Sequence, residues 1–167
     1  MEIRQLQSSD AVQYWELRVE ALKQNPEAFA TSYEDALQRE NPLEQVANNL
    51  NTTINYTFGA FENNQLIGVV TLLEQEPSKL RHTANIFAMY STPSKRGKGV
   101  GKALLVKAIN QAKNIDYIEK LKLTVVTENV AAKGLYTSLG FKSFGIEEKA
   151  LKVNDKYYDE EYMTLFL

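Results

Sequence analysis

Apolar and polar positions change period along this chain, and the changes outline its elements. Ile3 and Leu6 predict a short first strand. Ser8, Ser9 and Asp10 form a helix-capping cluster, and Val12, Trp15, Leu17, Val19 and Leu22 then fall mostly on one face of a helix that stops near Asn25 and Pro26. Phe29 to Asp35 follows no period and predicts irregular chain. Pro42 to Leu50 predicts a second helix, with Pro42 in its first turn and Leu43, Val46, Ala47 and Leu50 as its apolar stripe.

The middle of the chain reads as strands. Tyr56 to Phe61 and Leu66 to Leu73 are joined by the turn Glu62-Asn63-Asn64-Gln65. Thr83 to Tyr90 is a third such run, ended by Pro93. Val100, Leu104, Leu105, Ala108, Ile109 and Ala112 then mark one face of a helix from Val100 to Lys113. Leu121 to Val126 is β-branched and apolar, as in a buried central strand. Asn129 to Leu139 predicts a helix closed by Gly140 in a left-handed cap. Phe141 to Ile146 and Lys156 to Leu167 predict two last antiparallel strands around a turn at Lys152 to Asp155. The expected fold is one α+β domain over residues 1–167, with a mixed, mostly antiparallel sheet of about seven strands and four helices. The apolar end from Tyr162 to Leu167 predicts an exposed strand able to pair in a homodimer.

Composition narrows the chemistry. The chain has 167 residues, a net charge of -2, no cysteine and a single histidine, His82. Without a basic excess, bulk nucleic-acid binding is not expected. The lack of cysteine removes thiolate metal sites and a cysteine nucleophile, and one histidine makes a His-based metal centre or a Ser-His-Asp triad untenable. No metal is therefore expected. No apolar run approaches the roughly 20 residues that span a bilayer, and the first residues lack the apolar core of a signal peptide, so neither a membrane nor an export route is expected and a cytoplasmic location is.

The richest stretch is Arg96-Gly97-Lys98-Gly99-Val100-Gly101-Lys102, which holds three of the eight glycines between a strand and a helix. A glycine turn that opens a helix aims several main-chain N–H groups at one point, and the helix dipole adds partial positive charge there. The ligand expected at such a place carries phosphate. A Walker A loop is excluded, because position 96 is Arg96 instead of glycine and Ala103 stands where a hydroxyl should meet magnesium. This weighs against an ATP-binding enzyme. The dinucleotide fingerprint fails by one residue, since the spacing is Gly97-x-Gly99-x-Gly101.

Arg96, Gly99 and Gly101 at a helix start resemble the Arg/Gln-x-x-Gly-x-Gly/Ala loop that holds the coenzyme A pyrophosphate in the GNAT N-acetyltransferase superfamily. Met89-Tyr90-Ser91-Thr92-Pro93 resembles its strand-then-proline lead-in. Asn129, Ala132, Leu135, Tyr136, Gly140 and Phe141 are similar to its Asn-x-x-Ala-x-x-Leu-Tyr-x-x-x-Gly-Phe segment. The two motifs stand in order, separated by one helix and one strand.

The resemblance implies acetyl-CoA as cosubstrate, with direct attack by an amine in a ternary complex. Its pyrophosphate would rest on the main chain of Arg96, Gly97, Lys98, Gly99, Val100, Gly101 and Lys102. Its pantetheine arm would pair with Met89, Tyr90 and Ser91, where two parallel strands, Ala88 to Ser91 and Leu123 to Val126, splay apart. An N–H near Tyr90 or Ser91 would polarise the thioester carbonyl. Tyr136 would be the acid for the departing thiolate. Asn129 would bond the pantetheine arm, beside the ordinary work of such a residue as a helix cap.

The base is not apparent in the sequence. A lysine-like amine is free at pH 7 in only about one molecule in 2,500, so its proton must be removed. Many relatives carry a glutamate where this chain has Asn85, and an amide could only position a water. Glu34, Asp35 and Glu74 are acids that other segments could lend. Tyr33 and Glu34, near the expected acceptor loop, and Tyr158 on the last strand complete the acceptor candidates. The acceptor expected is a small-molecule amine. A protein amine, and a non-catalytic acyl-CoA sensor, are the alternatives.

Overall fold

β1 (Glu2–Gln5) pairs antiparallel with β2 (Asn55–Glu62), so the first strand meets a partner about fifty residues away, across all of the N-terminal helices. Between them lie α1 (Ala11–Gln24), α2 (Tyr33–Leu37) and α3 (Pro42–Leu50). β2 turns into β3 (Gln65–Glu74) through Asn63 and Asn64, both at positive φ, the geometry that makes a two-residue hairpin match the strand twist. β4 (Thr83–Ser91) follows antiparallel, and α4 (Val100–Lys113) carries the chain over to β5 (Lys120–Val126), parallel to β4. α5 (Val130–Ser138) leads into the long hairpin of β6 (Lys142–Val153) and β7 (Lys156–Phe166). The computed structural model describes all 167 residues, and its sheet order is β1-β2-β3-β4-β5-β7-β6.

The sheet separates two cores. On one face α4 and α5 cover a cluster that includes Phe58, Val70, Leu72, Leu104, Leu105, Leu121 and Phe141. The six apolar positions read from the α4 sequence are all buried. On the other face α1 and α3 cover Leu6, Leu17, Ala21, Val46, Leu50, Phe61 and Val69. A hydroxyl pair, Thr57 with Thr71 at 2.8 Å, satisfies the polar atoms buried beneath that second layer. No helix is long and apolar enough to cross a membrane.

Several local expectations are corrected. Residues Tyr33 to Leu37 form a fifth, short helix, because the Ser32 hydroxyl accepts from the Asp35 N–H and caps it. Val12 faces solvent instead of the core. The C-terminal run is no free edge: β7 is bonded to β5 on one side and β6 on the other, so the pairing edge expected for a homodimer does not exist there. Glu74 is buried, and its carboxylate accepts from the phenols of Tyr56 and Tyr117.

Asp10 is also buried, although its sequence position suggests only a helix cap. Both of its oxygens accept from the Arg4 guanidinium at 2.8 Å, and one also accepts from the Gln7 N–H at 2.8 Å. Arg4 holds the Asp10 carboxyl below the usual range. A depressed carboxyl stabilises the fold above the unfolded value, near pH 4, and loses that contribution as pH falls. Because Arg4 is partly exposed, Asp10→Ala is expected to cost only about 1–2 kcal/mol in urea unfolding at pH 7, with the gap to wild type closing toward pH 2.

Candidate active site

β4 and β5 stay together only briefly. Thr83, Ala84 and Asn85 face Lys120, Leu121 and Lys122, and no pairing follows. From Ile86 onward the strands diverge, and main-chain groups of β4 that point toward β5 have no strand to bond. A bulge sharpens the divergence: Thr71 faces Phe87 and Val69 faces Tyr90, which leaves Ala88 and Met89 opposite one residue, with Ala88 at φ 51°. The Thr92 N–H bonds Ile67 O at 3.0 Å, so ladder alternation turns the Tyr90 main chain toward β3 and those of Met89 and Ser91 toward the gap. Of the two N–H groups expected at the thioester, the geometry favours Ser91 over Tyr90 and adds Met89.

α4 begins beside that gap. Gly99 sits at its N-cap with φ 82°, and Gly97 has φ 73°, a conformation open to glycine at little cost. The first main-chain bond into the helix is from Ala103 N–H to Gly99 O, so the N–H groups of Val100, Gly101 and Lys102 have no acceptor within it. No side chain caps them. Gly97, Gly99, Val100, Gly101 and Lys102 line a cleft of about 1100 Å³ together with Met89, Ser91 and residues Leu123 to Val126 of the splayed strand. Unsatisfied donors, glycine-flat backbone and the dipole of a 14-residue helix fit a pyrophosphate.

The charges of the loop divide. Lys95 is paired with Glu62. Arg96 donates to Asn25 Oδ1 at 2.6 Å and to Ser91 O at 3.2 Å, and its guanidinium lies 5.5 Å from the Tyr90 ring. Arg96 thus ties the loop to the end of α1. Lys98 and Lys102 are exposed and join none of the four ion pairs; Lys102 lines the cleft and is the charge available there, while Lys98, expected at the site, does not line it. Tyr90 is structural in its side chain, with its phenol donating to Glu20 at 2.8 Å; burial and that carboxylate push it up to about 12.

Tyr136 lines the same cleft from α5, packed edge-on to Phe141 with ring centres 6.0 Å apart. Burial pushes its phenol up to about 12, so it is protonated throughout the working range of an enzyme. Asn129 caps α5, its Oδ1 accepting from the Ala132 N–H at 3.1 Å, and it also lines the cleft. Tyr158 of β7 also lines the cleft, with Lys156 4.5 Å above its ring.

Three acceptor candidates lie elsewhere. Tyr33 and Glu34 do not line the cleft; α2 carries them away, while its flanks, Phe29, Ala30, Thr31 and Arg39, line it. Asn85 sits where β4 and β5 are still joined, short of the gap.

The sequence reading missed Glu160. It lies on β7 opposite Val126, and its neighbour Glu161 pairs with Lys133 of α5 at 2.5 Å. Strand alternation therefore turns Glu160 to the other face, into the cleft. Burial first, and then repulsion by Glu147, raise its carboxyl above the usual range. No sequence signal marks it, because Asp159, Glu160 and Glu161 are adjacent acids that only the sheet separates. Tyr14, Arg18 and Phe29 of the N-terminal segment are further lining residues without a motif.

A splayed parallel pair, a bulged β4 and an uncapped glycine entrance to α4 define a mixed α+β fold whose cleft offers free main-chain donors. The model of the Acetyltransferase (GNAT) family matches residues 14–141, and this chain belongs to that family. It is 30% identical over 100 residues to spermidine N(1)-acetyltransferase of Vibrio cholerae, covering 60% of this chain and 56% of that protein. It is 27% identical over 99 residues to the L-amino acid N-acetyltransferase AaaT of Escherichia coli, covering 59% and 60%. The chain thus spans under two thirds of the length of these relatives. Its fold is that of a GNAT-family acetyltransferase from Streptococcus pneumoniae, with a TM-score of 0.86 at 24% identity over 99% of each chain. It is also that of yncA from Salmonella typhimurium, solved with its cofactor acetyl-CoA, with a TM-score of 0.82 at 21% identity over 99% of this chain and 93% of that one.

Proposed function

We propose that this protein is an N-acetyltransferase that moves the acetyl group of acetyl-CoA to the primary amine of a small molecule by direct attack. The observation that carries the reading is the fan of unbonded N–H groups at Val100, Gly101 and Lys102, which opens into the same cleft as Tyr136 and Glu160. Curated relatives named for a polyamine and for amino acids support a small acceptor.

Acetyl-CoA supplies an activated acyl group on a thiolate leaving group. Lys102 and the α4 entrance hold its phosphates, and Asn129 and the gap-facing main chain of Met89 and Ser91 hold the arm. Glu160 takes a proton from the ammonium, and the freed nitrogen forms a bond to the carbonyl carbon. The N–H groups of Met89 and Ser91 stabilise charge on the carbonyl oxygen as it develops. The C–S bond then breaks, and the second amine proton passes to the departing thiolate, which leaves as the free thiol while the amide forms.

Tyr136 meets the leaving sulfur. With its phenol near 12 and a thiol near 8.5, full proton transfer is uphill, so Tyr136 acts chiefly by donating a hydrogen bond to the thiolate. Tyr136→Phe is expected to lower kcat about 10- to 100-fold while leaving acetyl-CoA affinity within about threefold. Thiol release over a mixed library of primary amines tests the reading as a whole. Turnover on no amine, with acetyl-CoA still bound in a calorimetric titration, would favour a non-catalytic acyl-CoA sensor.

A further inference from the structure

Tyr14, Arg18 and Arg39 line the cleft from the N-terminal segment and lie close enough to interact with one another. The two guanidiniums repel one another, and Arg39 lowers the pKa of Arg18 after the larger effect of burial. Neither arginine joins any of the four ion pairs. The Arg18 guanidinium rests 4.5 Å over the Phe29 ring, which fixes its plane, and no acidic group neutralises it. The phenol of Tyr14 has no hydrogen-bond partner within the chain, and its polar atom is not sealed from the cleft. Arg18 is partly buried without an acidic partner, which is costly unless an anion in the cleft completes it; the Tyr14 phenol and the exposed Arg39 stand beside it to share that anion.

The wall also reaches a second cavity that no residue of the glycine loop or α4 lines. Tyr14 borders this cavity, of about 170 Å³, with Phe87 and Ala88, where the β4 bulge begins, and with Val46 and Leu50 of α3. The phosphate entrance follows β4, beyond Ser91. Acids of the same cleft lie on other segments: Glu27, which accepts from the Asn25 amide at 3.2 Å; Glu128, paired with Lys156; and Glu160 on β7.

We propose that Tyr14, Arg18 and Arg39 read an anionic group on the acceptor, so that the substrate is a primary amine bearing a carboxylate, a free amino acid being the simplest class. The inference rests on the acetyl-transfer reading and narrows it. A planar guanidinium held by an aromatic ring presents two parallel donors to a carboxylate, and a polyamine brought to the same wall meets only like charge.

The test compares the set of L-amino acids with their decarboxylated amines, an aminoalkylphosphonate series and spermidine, by thiol release. At least one amino acid is expected to exceed its decarboxylated partner by about 100-fold in kcat/KM, mostly through KM. Arg18→Gln and the exposed Arg39→Gln should erase most of that preference while leaving acetyl-CoA affinity unchanged. Tyr14→Phe should reduce it by a smaller factor. Preference for spermidine or decarboxylated amines would overturn the proposal, as would aminoalkylphosphonates about tenfold better than every amino acid, or arginine variants that weaken acetyl-CoA instead.

A readout without turnover keeps this separate from the acetyl-transfer reading. The CoA-loaded protein is titrated calorimetrically with N-acetyl amino acids and with N-acetylspermidine. Binding of an N-acetyl amino acid that Arg39→Gln weakens supports the anion wall even if no amine is turned over. Binding of none, or of N-acetylspermidine alone, rejects it.

Discussion

Gly101→Glu is expected to abolish acetyl-CoA binding in a calorimetric titration while the protein remains folded. A Cβ at this position would meet Met89 Cε at 2.9 Å and Leu135 Cδ2 at 3.1 Å, the far ends of two flexible side chains that can give way. The fold should therefore survive, since the position is helical and glutamate favours a first helical turn. The ligand should not. The carboxylate would stand among the free N–H groups of Val100, Gly101 and Lys102, satisfying them itself and repelling phosphate. Loss of those donors together with a reversed charge amounts to several kcal/mol, or an affinity drop of about 1,000-fold or more. Gly99→Glu should act in the same direction and also lower stability, because φ there is 82°. Unchanged acetyl-CoA affinity in Gly101→Glu, with native circular dichroism, would remove the basis for placing the phosphates at α4.

Glu160→Gln should lower kcat/KM about 100-fold at pH 7 and progressively less as pH rises toward the amine's own pKa. The reason lies with the amine. A lysine-like amine is nearly all ammonium at neutral pH, and a base that removes its proton matters most where the free fraction is smallest. Burial and Glu147 raise the Glu160 carboxyl, so its basic form carries more driving force than an exposed carboxylate and the acid limb of the wild-type profile should lie above the usual glutamate range. The glutamine variant should lose that limb. A parallel loss at every pH would assign Glu160 to positioning instead of proton removal.

The two predictions address parts of the site that differ in how far the sequence reveals them. The phosphate entrance is local. Gly97, Gly99 and Gly101 lie within five residues, and the helix they open is marked by six apolar positions that all prove buried. The same holds for Asn129 and Tyr136, which lie on one short helix and its cap. The acceptor side is not local. Glu160 enters through strand parity on β7, Arg18 through α1 and Arg39 through the turn after α2, and no spacing in the sequence connects them. Tyr33 and Glu34 looked apt because they sit in the right segment, but a one-turn helix capped by Ser32 turns that segment so that its flanks face the cleft.

Arg96 shows the same division within the motif itself. Its presence at the loop is evident from the sequence, yet its bond to Asn25, 71 positions earlier, makes it a tie between α1 and α4. Asp10 likewise reads as a cap and proves to be the buried partner of Arg4.

By itself the sequence determined most of the elements, the family and the glycine turn that opens α4, because each depends on periodicity or on main-chain geometry set by neighbouring residues. Tertiary structure alone decided which acid of β7 enters the cleft, which cations lack a partner and whether the last strand is an edge. Those properties depend on what packs against what, and the strands and helices that meet at this cleft are drawn from α1 through β7, too far apart in sequence for any local pattern to record.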